Sequence, residues 1–169
     1  TKDAIEVSSS NHFISWGTIR VSSNSTPGFI FKIAGLPRSV SQPNGKFLMM
    51  SDAPPFRVRH WDVSGDYFKN QLLQCDFIRK LPMKIKNCTI LRPHQEMPKN
   101  DVFLKAQENL GVILGNPHSK LESEIQRSRL VLYFYESTGI IELMARDIPV
   151  IGVWQEGFDH ISEQAKKDY

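Results

Sequence analysis

Several features that would reveal a function directly are scarce in this sequence, and cysteine is the first of them. The 169 residues include two cysteines, Cys75 and Cys88, and neither has a second cysteine or a histidine at the spacing of a metal site. Free cysteine is among the most buried residue types in proteins. We therefore interpret both as buried free thiols, and we expect no metal ion.

Long apolar runs and a strong net charge are missing as well. No stretch approaches the roughly 20 apolar residues of a membrane-spanning helix, and the N-terminus lacks the pattern of a signal peptide. Lys and Arg number 21 against 18 Asp and Glu, a formal charge of +3, which is too small to indicate nucleic acid as a partner. We expect a cytoplasmic protein with no integral membrane segment, and peripheral association with the inner face of the membrane stays open.

Two glycine-rich phosphate-binding motifs are also missing. A dinucleotide-binding domain would carry Gly-x-Gly-x-x-Gly after its first strand, and a P-loop ATPase would carry Gly-x-x-x-x-Gly-Lys-Ser/Thr. The loop expected after the first strand instead reads Ser51-Asp52-Ala53-Pro54-Pro55. NAD chemistry and Walker-type ATP hydrolysis are therefore disfavoured, and no cofactor is expected.

From residue 46 onward, short apolar runs rich in β-branched residues alternate with helical patterns. This alternation predicts an α/β fold with a doubly wound parallel sheet, Rossmann-like, of about five strands. For the strand order we favour 3-2-1-4-5. We expect residues 1–45 to be a connecting segment or short strands (13–22 and 29–34), residues 46–169 to be a nucleotide-binding domain, and the chain to be part of a longer protein. The predicted strands are 47–50, 85–91, 112–114, 130–135 and 150–154, and the predicted helices are 65–81, 100–109, one opening at a capping box at 119–122, and 140–147.

The most informative stretch is the polar turn that follows the predicted strand 130–135. Ser137, Thr138 and Gly139 stand where that strand ends and a helix begins. Ligands of open parallel sheets bind at the carboxyl ends of the strands, and a helix N-terminus offers free amides to a phosphate. Ser137 or Thr138 can equally be the N-cap of the helix, because capping and anion binding use the same geometry. Glu142 can accept hydrogen bonds from ribose hydroxyls. Alternatively, it is simply an acidic residue in the first turn that interacts favourably with the helix dipole.

Two other strand ends at the same predicted edge carry polar residues. Ser51 follows the first strand, and Arg92 and His94 follow the second. A cation and an imidazole at that place suit a diphosphate or a sugar acid. For His94 a structural hydrogen bond within its loop is the alternative.

Five short motifs occur in a fixed order along the chain, and together they indicate a family. They are Ser51 to Arg57, Tyr67-Phe68-x-x-Gln71, Arg92 with His94, Tyr135-Glu136-Ser137-Thr138-Gly139 followed by Glu142-Leu143-Met144-Ala145, and Ile148-Pro149-Val150-Ile151 with Trp154. In this order they resemble the C-terminal nucleotide-sugar-binding lobe of GT-B glycosyltransferases. The chain is most similar to the surface-carbohydrate transferases of bacterial lipopolysaccharide and O-antigen loci.

The resemblance implies an inverting, metal-independent sugar transfer in which this lobe binds a nucleotide-activated sugar. The catalytic base and the glycan or lipid-linked acceptor would belong to an N-terminal lobe, so this chain alone is expected to bind nucleotide and turn over little or nothing. A CDP-glycerol type polyol-phosphate transferase is one alternative, and a non-catalytic nucleotide-binding or assembly domain is another. The nucleotide-binding residues implied are Ser137, Thr138, Gly139, Glu142, Arg92, His94 and Ser51.

Overall fold

The chain divides into two compact units, Thr1–Pro37 and Arg38–Tyr169. A computed structural model describes residues 5–16, 22–38, 42–53 and 64–154, together with Glu163 and Lys166. Residues 17–21 of the first predicted strand and residues 54–57 of the motif that starts at Ser51 lie outside the described residues. None of the helices in the described ranges is long and apolar enough to cross a membrane.

The first unit contains a short parallel pair of strands packed beside a helical turn. Asn24, just before the second strand, donates from Nδ2 to the carbonyls of Val7 and Ser10 at 2.8 Å each, which ties that strand to the helix. For residues 29–34 the strand alternative is wrong, because residues 31–33 form a 3-10 helix within a connecting segment. The elements are α1 (Ile5–Ser9), β1 (Phe13–Trp16), β2 (Ser25–Gly28) and the 3-10 helix Phe31–Ile33.

The second unit contains a five-stranded parallel sheet. Its strands are β3 (Lys46–Met50), β4 (Thr89–Arg92), β5 (Ile113–Leu114), β6 (Ser128–Tyr133) and β7 (Val150–Gly152). They lie in the order β5-β4-β3-β6-β7. In order of sequence within the sheet this is 3-2-1-4-5, so both the predicted doubly wound fold and the predicted strand order are confirmed. The helices are α2 (Ser64–Lys80), α3 (Met83–Lys86), α4 (Val102–Asn109), α5 (Leu121–Gln126) and α6 (Thr138–Met144).

The two faces of the sheet are buried in separate apolar clusters. Side chains of a strand alternate between faces, so Met49 of β3 enters one cluster while Leu48 and Met50 enter the other. The first cluster is covered by α2 and α4, and the second by α5 and α6. Burial on both faces explains why β3 and β6 read as nearly continuous apolar runs in the sequence.

Two predicted local features differ from the structure. Strand β4 starts at Thr89, not at residue 85, because the Pro82 carbonyl accepts hydrogen bonds from the amides of Ile85 and Lys86 and starts the short helix α3 there. The capping box at 119–122 is also wrong, since α5 begins with Lys120 as an N-cap that makes no side-chain cap. The thiols of Cys75 and Cys88 are free as predicted, although Cys88 is only partly buried.

The order of the strands gives a topological switch point at one edge of the sheet, the position that we call the crevice. From β3 the chain crosses to β4 on one side, and it later returns to β6 on the other side. The connections that follow β3 and β6 therefore diverge, and the carboxyl ends of these two strands are left side by side. Ligands of doubly wound sheets bind at this switch point.

A tight backbone approach at the start of β3 gives a first prediction. A Cβ added at Gly45 would lie 2.7 Å from the Arg127 carbonyl oxygen and from the Arg129 nitrogen. Because both atoms are backbone at the start of β6, they cannot rotate away. We expect Gly45→Ala to lower the free energy of unfolding by about 1–3 kcal/mol, measured by urea unfolding. The exposed neighbour Asn44→Ala is the control, and equal stability of the two variants would contradict the expectation.

Candidate functional site

The loop after β3 forms one wall of the crevice, and Ser51 is its first residue. The Ser51 amide donates to the Arg92 carbonyl at 3.0 Å, which continues the pairing of β3 with β4. The Ser51 side chain is buried, and its Oγ accepts a hydrogen bond from Gln71 Nε2 at 3.3 Å. Helix α2 therefore holds this predicted site residue in place.

Asp52 follows directly and places a half-buried carboxylate at the same edge. Its Oδ1 accepts from the Ala53 amide at 2.7 Å, and its Oδ2 accepts from Asn70 Nδ2 at 3.2 Å. Sequence reasoning passed over Asp52 as a site residue. The available signal was its position, since it is the first acidic residue beyond the end of the central strand.

Two tyrosines lie at the end of β6, and Tyr133 is buried in the second apolar cluster. The rings of Tyr133 and Tyr135 meet edge to face with 5.5 Å between centroids. Burial is the main cause that raises the pKa of Tyr135, with charge on Tyr133 and Asp52 adding to it and a hydrogen bond with Ser137 acting in the opposite direction. The Tyr135 hydroxyl thus interacts with Ser137 through a hydrogen bond and with the Asp52 carboxylate through its charge.

Ser137 is the N-cap of α6. Its Oγ accepts from the Gly139 amide at 3.1 Å, and its carbonyl accepts from the Ile140 amide, also at 3.1 Å. Ser137 therefore caps the helix, which was one of the two alternatives predicted for it. The amides of Gly139 and Ile140 in the first turn already have hydrogen-bond partners. The Thr138 side chain is exposed beside them.

Gly139 lacks a side chain for a packing reason. A Cβ at this position would lie 3.0 Å from Tyr133 Cζ and closer still to the Tyr133 hydroxyl. The ring and hydroxyl of Tyr133 therefore occupy the space beside Gly139. Burial, followed by the charge of the half-buried Glu142, raises the pKa of Tyr133 to about 12.

Arg92 lies at the end of β4, but its guanidinium is bound by its own chain. The group is 6% exposed, and Nη1 donates to Glu124 Oε2 and Ser119 Oγ at 2.6 Å each and to the Asn116 carbonyl at 3.2 Å. Nη2 donates to the carbonyls of Pro117 and Ser119 at 3.0 and 2.8 Å. Arg92 thus fastens the 116–119 loop to β4.

His94 is likewise held by local hydrogen bonds. Its Nδ1 accepts from the Glu96 amide at 3.2 Å, and its carbonyl accepts from the Met97 amide at 3.0 Å. The half-buried His94 ring thus makes the structural hydrogen bond within its loop that was the alternative to ligand binding. Among the predicted site residues, Ser51 and the 137–139 turn follow neighbouring strand ends, because β3 and β6 pair along their length. Arg92 and His94 stand at the next strand end, with their side chains engaged in its loops.

Comparison with known protein families gives one result that covers the whole chain. Residues 1–169 match the family model described as LIC12162 family transferase. The chain belongs to the LIC12162 transferase family. This membership supports a transferase function in general, carried on the Rossmann-like sheet described above. No curated protein and no solved structure matches the chain significantly.

The contact between Gly139 and Tyr133 predicts a coupled pair of substitutions. Gly139→Ala should lower the free energy of unfolding by about 1–3 kcal/mol, because its Cβ meets the Tyr133 ring and hydroxyl. In a Tyr133→Phe background, which removes the nearest atom, the same change should cost less. Urea unfolding of the four proteins gives the coupling energy. Equal costs in the two backgrounds would show that the Tyr133 hydroxyl is not the obstacle.

The raised pKa of Tyr133 predicts a loss of stability at alkaline pH. An unfolded tyrosine ionises near pH 10, whereas folded Tyr133 keeps its proton to about pH 12. Between these values the folded state binds more protons, so the free energy of unfolding falls as pH rises. We expect the wild type to lose up to about 1.4 kcal/mol per pH unit more than Tyr133→Phe in this window. Urea unfolding at a series of pH values measures it, and identical profiles would contradict it.

Proposed function

We propose that this chain is the donor nucleotide-sugar-binding lobe of a GT-B glycosyltransferase in bacterial surface polysaccharide biosynthesis. One observation carries the proposal: the polar residues Asp52, Tyr135 and Ser137 follow the neighbouring carboxyl ends of β3 and β6, at the switch point of a 3-2-1-4-5 sheet. In sheets of this kind the crevice outside the strand ends is where ligands bind. Membership in a transferase family supports a group-transfer role for that crevice.

In this proposal the nucleotide phosphates lie against the turn of Ser137, Thr138 and Gly139. The exposed Thr138 hydroxyl donates to a phosphate oxygen, while Ser137 keeps the turn in shape as the N-cap. Glu142, one turn further on, accepts from the ribose hydroxyls. Ser51 contributes from the end of the neighbouring strand.

Arg92 and His94 would act from the end of β4. Because the terminal nitrogens of Arg92 are occupied by Glu124 and the 116–119 loop, we propose that Arg92 positions this loop beside the nucleotide. His94 is held in its own turn by the Glu96 amide. Its other ring nitrogen would then face the ligand.

The chemical contribution of the lobe is to bind and stabilise the leaving group. As the sugar departs, negative charge grows on the nucleotide phosphate, and hydrogen-bond donors already in place lower the energy of that charge. No metal or cofactor is part of the proposal. The base and the acceptor, a glycan or a lipid-linked glycan, would come from a second lobe, at the cytoplasmic side of the membrane.

The proposal predicts nucleotide binding by this chain and its dependence on Thr138. Calorimetric titration with CMP, UDP, GDP and dTDP should find at least one ligand. Thr138→Val should weaken that ligand by about three- to tenfold, the value of one neutral hydrogen bond, at nearly unchanged stability. Ser137→Ala should instead cost about 1 kcal/mol of stability as a lost cap.

Exposed Ser123→Ala on α5 is the matched control, since it removes a hydroxyl away from the crevice. Absence of binding by all four nucleotides in a folded sample would overturn the proposal. Tighter binding of CDP-glycerol than of any nucleotide sugar would replace it with polyol-phosphate transfer. Binding that neither Thr138→Val nor Ser137→Ala changes would exclude the 137–139 turn as the phosphate site.

A further inference from the structure

The hydroxyl of Tyr67 is buried and has no hydrogen-bond partner in the described part of the chain. Tyr67 is 5% exposed, and its ring packs edge to face against Phe68 and Phe103, with centroids 5.6 and 6.2 Å away. The apolar body of the side chain is thus fully used in packing. A phenylalanine would pack equally well, and a buried hydroxyl without a partner is costly. The hydroxyl itself therefore needs an explanation other than packing.

The position of Tyr67 on α2 directs it to the crevice. Residues three and four apart on a helix share a face, and Tyr67 is followed at these spacings by Asn70 and Gln71. Asn70 donates to Asp52 Oδ2 and Gln71 donates to Ser51 Oγ, at 3.2 and 3.3 Å. The face that carries the Tyr67 hydroxyl is therefore the face that contacts the carboxyl end of β3.

The protonation state of Tyr67 limits what its hydroxyl can bind. Burial is the main cause that raises the pKa of Tyr67, and the carboxylates of Asp101 and Asp52 add to it. The hydroxyl thus keeps its proton and can donate a hydrogen bond. A ligand hydroxyl fits, because it can accept from Tyr67 and donate to Asp52.

We propose that the Tyr67 hydroxyl and the Asp52 carboxylate form a subsite for a hydroxyl group of the donor, carried either by its transferred sugar or by its ribose at a position that Glu142 does not bind. This inference rests on the proposed function, because the nucleotide sugar supplies those hydroxyls. It adds a contact on the α2 side of the crevice, across β3 from the 137–139 turn. The phosphates and the hydroxyl-bearing group would then occupy opposite sides of the end of β3.

The first test is the stability of the unliganded protein. Tyr67→Phe keeps the ring and removes only the unpartnered hydroxyl, so its urea midpoint should equal or exceed that of the wild type. A clear fall in the midpoint would show that the hydroxyl has a structural partner and would overturn the inference, whether or not any nucleotide binds.

The second test is calorimetric titration of Tyr67→Phe and Asp52→Asn with the nucleotide that binds the wild type and with its sugar-bearing form, such as UDP and UDP-glucose. We expect Tyr67→Phe to weaken binding by about three- to tenfold. An equal loss for both ligands supports the ribose as the source of the hydroxyl, and a loss confined to the nucleotide sugar supports the transferred sugar. If the ribose supplies the hydroxyl, the 2′-deoxy forms of both ligands should bind the wild type more weakly than the ribose forms, and by the same factor.

Leu72→Ala is the control on the same helix, since Leu72 is exposed and makes no polar contact. It should leave both affinities unchanged. Suppose that the wild type binds a nucleotide and its sugar-bearing form, and that Tyr67→Phe and Asp52→Asn bind both with unchanged affinity. This inference is then wrong, while the proposed function stands. If the wild type binds no nucleotide, the proposed function fails and the subsite fails with it.

Discussion

The pairing of β3 with β4 on one side and β6 on the other is the interaction on which the rest of the described sheet depends. Leu48 and Met49 at its centre are fully buried on opposite faces, so the strand is covered by helices on both sides. The neighbouring strands form hydrogen bonds with the backbone of such a strand on both sides, and the two apolar clusters bury its side chains. Its carboxyl end is where polar residues begin, and the crevice starts there.

A network of buried side-chain amides connects α2 and α4 to the carboxyl end of β3. Gln107 of α4 donates from Nε2 to the Oε1 atoms of Gln71 and Gln74 at 3.1 and 2.8 Å. Gln74 in turn donates to the Met50 carbonyl at 3.1 Å, and Gln71 donates to Ser51 Oγ. Buried amides are costly unless they are paired, so the network favours one arrangement of α2 and α4 over the end of β3. The positions of Asn70 and Tyr67 follow from that arrangement.

On the other face, two buried arginines hold α5 to its neighbours. Arg92 pairs with Glu124, and Arg146 pairs with Glu122 through both terminal nitrogens. Removing one member of a buried pair leaves an uncompensated charge, which costs more than the pair itself contributes. These arginines therefore specify where α5 and the 116–119 loop lie. A cation at a strand end, which the sequence alone presents as a phosphate ligand, can serve instead as a positioning residue for a loop.

The sequence by itself determined the fold class and the identity of the strand-turn-helix at 130–144, because burial of a parallel sheet on both faces leaves apolar runs at regular intervals. Such runs do not fix the strand order, which was predicted from the Rossmann-like half-sheet and decided by the tertiary structure. The sequence did not determine the roles of Arg92, Gly139 or Asp52. Those depend on which atoms meet across the sheet: Glu124 beneath Arg92, the Tyr133 ring over Gly139, and Asn70 beside Asp52. Each of these contacts joins residues that no local periodicity relates, so only the tertiary structure decided them.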